Sequence, residues 1–367
     1  MKKIIFILIL AVTFVFITAF SVSAADIDSL PDQNDKYPAQ IDELLPDDFR
    51  GNTAAEIANG MSVGKIINVV LSTLKALLPK TLKSISAVLG LVIISSVVGV
   101  VRENTAREEL KDILSYISAI CVCGAAYSVI GNIFAVVREY VSVVGIILKI
   151  IIPSVSILAA ASGSVTFSVA SGGVMYSALA VLQSLCEGFV LPLIRICLCI
   201  SFGATALGND ALAGVSASVK KFASVVLSFI MLVFSFVLGI RGVVAASADS
   251  AAQKSIKFAA SSMIPIVGGA VGDAVGSVSG SVSVVRSVVG VAGAAILLLV
   301  TIGPLCALGI YKLAFEFISM AAGMLGLNRE AKFLSDVSGA GGFLMAVVSC
   351  ICVFFIISLG LAASVGG

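Results

Sequence analysis

Residues Ile264–Gly280 read IPIVGGAVGDAVGSVSG, a run bracketed by long apolar stretches. Glycine recurs at every fourth position, at Gly268, Gly272, Gly276 and Gly280, with Gly269 beside the first and a single acid, Asp273, in the middle. Two readings compete. Glycine and serine are frequent enough for a loop. The spacing of four instead lays the glycines along one slowly turning helical stripe, and inside a membrane such a stripe lets a second backbone approach closely. Pro265 suits a first helical turn, where its missing N–H has no intrahelical partner to lose, and Ser261 or Ser262 is placed to cap it. The regular spacing favours the packed helix. Asp273 then lies about 100° from the stripe and flanks the contact. Its pairing candidates are Lys254, Lys257 and Arg286, or it caps a broken helix.

The rest of the chain makes a membrane setting the default. Hydrophobic residues are 59% and charged residues 12% of the sequence, against about 25% charged in soluble domains. Such a chain cannot cover its surface with polar groups, and it is long enough for many spans. A formal net charge of +2 offers no electrostatic footprint for nucleic acid. Histidine is absent, which excludes His-based triads, HExxH zinc sites and His-ligated haem. Tryptophan is absent too, so an interfacial aromatic belt would draw on the six tyrosines and on phenylalanine. The eight cysteines, Cys121, Cys123, Cys186, Cys197, Cys199, Cys306, Cys350 and Cys352, all lie in apolar segments. Three pairs have the form C-x-C, and positions two apart on a helix face different ways. They read as small buried hydrophobes, with neither a metal site nor a disulfide framework.

Two lysines, an apolar run to Phe20 and the small residues Ser21–Ala25 form the three-part pattern of a secretory signal peptide at 1–25. Residues 26–62 follow with nine acids against Lys36 and Arg50 and with Pro31, Pro38 and Pro46, the composition of a disordered extracytoplasmic segment. Over 63–83 the apolar residues recur at helical spacing while Lys65, Lys75, Lys80 and Lys83 carry the charge. That is a basic amphipathic helix, suited to a membrane interface or to docking on the bundle.

The remainder, 84–367, reads as a polytopic all-α membrane helix bundle of seven or eight spans. Apolar runs at 84–101, 113–137, 141–161, 174–207, 222–240, 288–310 and 341–363 are separated by charged or Gly/Ser-rich stretches, with Arg138-Glu139 ending the second. Lysine and arginine counts leave the orientation near balance. The signal peptide alone then sets it, with 102–112, 208–221 and 312–339 cytoplasmic. The basic 241–287 stretch would face outside, against its charge, so it contains either an uncounted span or a re-entrant segment.

Charged residues inside spans cost roughly 2.5–3.5 kcal/mol on insertion scales and are functional candidates by default. Glu187 and Arg195 are the foremost pair, eight residues and about 80° apart on a continuous helix, with Pro192 between them to bend it. A structural ion pair with a neighbouring helix is favoured over a substrate or ion pathway. Lys149 lies off a span centre and can snorkel. No Walker A motif is present, and Gly163-Ser-Val lacks the second glycine of a nucleophile elbow. No inverted repeat is evident. Neither an enzyme nor a cofactor is expected.

The run Ser255–Ala274, SIKFAASSMIPIVGGAVGDA, which contains Lys257 and Phe258, resembles the signature of the stage III sporulation protein AE family. So do Val289–Leu298 (VGVAGAAILL), Tyr311-Lys-Leu313 and the change from polar to apolar around Asp336-Val337. The layout agrees over nearly the full chain. The resemblance implies a polytopic component of a transenvelope channel in the mother-cell membrane around the forespore, needed for late forespore development. It further implies partners: an ATPase, small membrane proteins and ring-forming proteins. It carries over no catalytic residue. A stand-alone permease is the alternative.

Overall fold

The computed structural model describes Leu45, Phe49, Arg50 and residues 63–104, 107–161, 165–209, 211–212, 214–230, 232–233, 236 and 268–364; for 63, 103, 165–171, 268–288 and 361–364 it describes the backbone alone. The signal peptide and most of the acidic segment lie outside these residues. So do Lys257, Phe258 and Pro265.

Among the described residues the protein is all helix, without a strand. Helix α1 spans Val63–Glu103, α2 Glu108–Ala161 and α3 Val165–Leu185. A π-helical turn at Cys186–Val190 leads into α4, Leu191–Leu207. A helical segment occupies 214–230. Helices α5, Gly268–Met324, and α6, Asn328–Ser364, form the closing hairpin. Among the described residues five helices are long and apolar enough to cross a membrane: Gly64–Arg102, Glu108–Ala161, Gly172–Leu207, Val289–Met324 and Asn328–Gly360.

Several positions read as breaks are not breaks in the backbone. The basic stretch 63–83 and the apolar stretch 84–101 form one helix, with all four lysines exposed. Arg138-Glu139 and Pro153 lie inside α2, which at 54 residues is about 80 Å long. Charge interrupts a hydropathy plot without disturbing i→i−4 bonding. Proline does remove one backbone donor, and it frees the carbonyl four residues before it. In α2 that carbonyl is Lys149 O, and the Tyr176 hydroxyl of α3 donates to it at 3.4 Å. A neighbouring helix thus satisfies the orphaned group, as the apolar setting demands.

Gly268–Val288 continues into the apolar half of α5 as one helix, so Gly268, Gly269, Gly272, Asp273, Gly276 and Gly280 stand on a helix and not in a loop. The lead-in Ile264–Val267 lies outside the described residues.

The hairpin turns at Gly326, whose φ of 78° is left-handed. Leu327 N–H donates to Ala322 O at 2.9 Å and Gly326 N–H to Gly323 O at 3.2 Å, the paired bonds of a Schellman C-cap. Gly208, φ 61°, ends α4 in the same way, with Asn209 N–H on Ala204 O and Gly208 N–H on Thr205 O. Helices α5 and α6 pack closely where Gly341 and Gly342 lie against the Lys312 backbone and stem. On the far side of the hairpin Gly293 faces Ile151 and Leu359, so three helices meet there. The core runs through all six helices, with Val69, Ile85, Val88 and Val92 from α1, and also takes in Leu45 and Phe49, each 2% exposed, from within the acidic segment. Helix α1 has the least buried of these five spans and shows Ile93, Ile94, Val97 and Val101 outward.

Candidate functional site

Polar side chains gather in two places. The first is the end of the bundle near the α5–α6 turn. Lys220, on the 214–230 segment, reaches Asp336 Oδ1 at 2.6 Å, and Ser201 of α4 donates to the other carboxylate oxygen. Ser338 donates to Glu316 Oε2 at 2.7 Å and to Lys312 O at 3.1 Å, tying α6 to α5. Ser319 donates to Ala331 O at 2.7 Å. Glu330, 5% exposed, sits in the first turn of α6, where unpaired N–H groups and the helix dipole favour an acid. Ser118 of α2 donates to it at 3.2 Å. The Arg329 guanidinium lies against Gly208, and Thr205 Oγ1 contacts Arg329 O at 3.5 Å. Cys197 and Ser216 exchange contacts at 3.2–3.3 Å between α4 and the 214–230 segment. These bonds connect five helical pieces at one end. Two long helices and a tight turn bring them together from positions up to 212 residues apart.

The second place lies near the middle of the hairpin. Tyr140 OH is 3.0 Å from Thr301 Oγ1 and 3.5 Å from Val348 O, fully buried. Thr301 stands within the charge-free run 287–311 and Val348 within the charge-free run 337–367, so Tyr140 marks a level well inside the apolar layer. Arg138 and Glu139 adjoin it on α2, and both are exposed.

Of the residues singled out from sequence, Glu187 falls in the π-helical turn, where Leu191 N–H bonds Cys186 O. Pro192 explains the turn: it has no N–H and its ring crowds the carbonyl of residue 188, and widening the preceding turn relieves both effects. Glu187 is exposed. Arg195 is also exposed, with its guanidinium 4.9 Å from the Phe134 ring centroid, a cation–π contact with α2. Lys149 is exposed one turn before Pro153. Among the described residues Glu187, Arg195 and Lys149 form no ion pair with one another. Arg138 and Glu139, expected from the sequence at the end of a span, instead lie inside α2 and are exposed. The signal that could have found them is the absence of any turn residue between the runs 113–137 and 141–161.

All eight cysteines are free. In the pairs Cys121/Cys123 and Cys197/Cys199 one thiol is exposed and the other buried, as opposed helix faces require.

Long apolar helices and a continuous apolar core define a multi-pass membrane protein. The sequence profile of stage III sporulation protein AE matches residues 50–366, nearly the whole chain. The chain belongs to that family. No curated protein and no solved structure matches it.

Proposed function

We propose that this protein is a membrane subunit of the sporulation channel complex that links mother cell and forespore, seated in the mother-cell membrane around the forespore and needed for late forespore development. The observation that carries the reading is the family match over residues 50–366, which coincides with the five long apolar helices. The proposal gives the chain a non-enzymatic role, without a cofactor. Its partners would be an ATPase, small membrane proteins and ring-forming proteins of the same complex, with lipid around the bundle. Deletion of the gene in its host tests this: late forespore gene expression should be lost and the membrane-anchored partners should no longer co-purify. Normal forespore development in the deletion strain would overturn the proposal.

A stand-alone permease is the second reading, favoured by the exposed charges Lys149, Glu187 and Arg195 inside apolar stretches. Purified protein in liposomes that moves a solute down an ion gradient, without any partner, would establish it in place of the first.

A further inference from the structure

Four charged side chains sit at nearly one level of the bundle. Arg138 and Glu139 adjoin Tyr140, which meets Thr301 and Val348 well inside the hairpin's apolar run. Arg195 lies over Phe134, one turn from Arg138. Gly145 lies against the Gln183 side chain, and Glu187 follows Gln183 by one turn as α3 runs back along α2. All four residues are therefore within about two helical turns of one another along the bundle axis. Arg138 and Glu139 lie on the exposed face of α2, about 160° and 100° from Tyr140, and Arg195 reaches that helix at Phe134, about 40° from Arg138. Each of the four is exposed, and none makes an ion pair within the chain among the described residues.

Two are basic and two acidic, so these four sum to zero, while the exposed Lys75 and Lys80 of α1 come to a similar level through the α1–α2 hairpin, which pairs Arg102 with Ser115. Membrane neighbours related by rotation about the bilayer normal keep every residue at its own depth. A surface can then neutralise itself against a copy of itself only if both signs occur at the same depth. Arg138 and Glu139, adjacent on α2, meet that condition, with Glu187 and Arg195 about one turn to either side of them, and a single-sign cluster would not. Lipid tails supply no counter-charge, while a second copy supplies the complementary set.

We propose that Arg138, Glu139, Glu187 and Arg195 form a self-complementary charge belt through which two copies of this chain associate side by side in the membrane. The association does not depend on what the complex conducts, so the deletion phenotype above and the pairing can fail separately.

The test uses the full chain in membranes of the sporulating host, expressed as two copies with different epitope tags. Exposed Cys121 and Cys199 are replaced by serine, and Ser142→Cys, one turn from Arg138 and exposed, reports contact through a short bis-maleimide. The expected result is a cross-linked pair carrying both tags, with none from Val97→Cys on the outward face of α1. A basic belt (Glu139→Lys with Glu187→Lys) should lower self-cross-linking about tenfold. An acidic belt (Arg138→Glu with Arg195→Glu) should do the same. A basic-belt copy mixed with an acidic-belt copy should restore it. No two-tag product from the unaltered belt would overturn the proposal, whether Ser142→Cys instead reacts with a water-soluble maleimide, joins a different protein or is covered by residues 237–267. Equal cross-linking by every belt variant would overturn it too, and the unaltered belt decides the matter even if a charge variant fails to insert.

Discussion

Lys220 Nζ stands 2.6 Å from Asp336 Oδ1 across a sequence separation of 116 residues, and Ser201 donates to the same carboxylate. One acid thereby joins α4, the 214–230 segment and α6. Its neighbour Val337 is 1% exposed, whereas Lys220 and Asp336 each keep about a quarter of their side-chain surface, 27% and 26%. The pair thus lies between the exposed regime, where an ion pair contributes little, and the buried regime, where breaking one is costly.

Asp336→Ala is expected to lower stability by about 1–3 kcal/mol, since it leaves Ser201 without its carboxylate acceptor and Lys220 with only the carbonyl of residue 336, at 3.4 Å. The double variant Lys220→Met with Asp336→Leu should lose less than the sum of the single changes, because it removes both charges together. Heating detergent-solubilised protein and measuring the folded fraction by size exclusion reads both effects. Strict additivity would show that the two residues are not coupled.

Gly208 and Gly326 offer a matched pair of left-handed caps. Alanine at either must adopt a conformation that L residues disfavour by about 1–2 kcal/mol. A Cβ at Gly326 would meet open space, whereas one at Gly208 would fall 2.5 Å from an Arg329 guanidinium nitrogen. Arg329 is exposed and its guanidinium is the flexible end of the side chain, so it can swing aside; Gly208→Ala should cost about as much as Gly326→Ala, and Gly326→Asn less than Gly326→Ala. The same heating assay ranks them, and a much larger loss at Gly208 would show that Arg329 is held in place.

At the three-helix contact, a Cβ on Gly293 would come within 3.0 Å of Ile151 Cδ1 and 3.4 Å of Leu359 Cδ1. Gly293→Leu should overpack the site by about 1–3 kcal/mol or more. Combining Gly293→Ala with Ile151→Val should recover part of what Gly293→Ala alone loses. Wild-type yield and melting for Gly293→Leu would argue against the close packing of α2, α5 and α6.

Gly272→Leu and Gly276→Leu, on the helical stretch that begins at Gly268, should impair co-purification of partners more than membrane insertion. Asp273→Asn should reduce sporulation at normal protein level. Equal recovery of partners with wild type and both leucine variants would remove the glycines from an assembly role, and full sporulation of Asp273→Asn would do the same for the acid.

The helices themselves follow from local chemistry. Charge-free runs such as 287–311 and 337–367 can satisfy their backbone within the run itself, in an apolar solvent, only by helix formation, and those runs are plain in the sequence. Their ends are less plain. Arg138, Glu139 and Pro153 lower hydropathy, yet α2 passes through all three. Backbone hydrogen bonding does not depend on side-chain charge, and Tyr176 covers the carbonyl that proline frees.

The charged residues divide along the same line. Glu187 and Arg195 stand out in sequence because each interrupts an apolar run, and their cost in lipid follows from residue type and neighbours alone. That Arg138 and Glu139 share their level, and that Lys220 meets Asp336, depends on how α2, α3, α4, the 214–230 segment and α6 lie side by side. Composition and local pattern dictated a helical membrane protein, because each residue's preference for lipid or water and each backbone group's need for a partner are settled within a few neighbours. Which charges are paired, which face outward and at what depth was decided by packing between distant segments, through left-handed glycine caps and close helix contacts that a one-dimensional pattern does not specify.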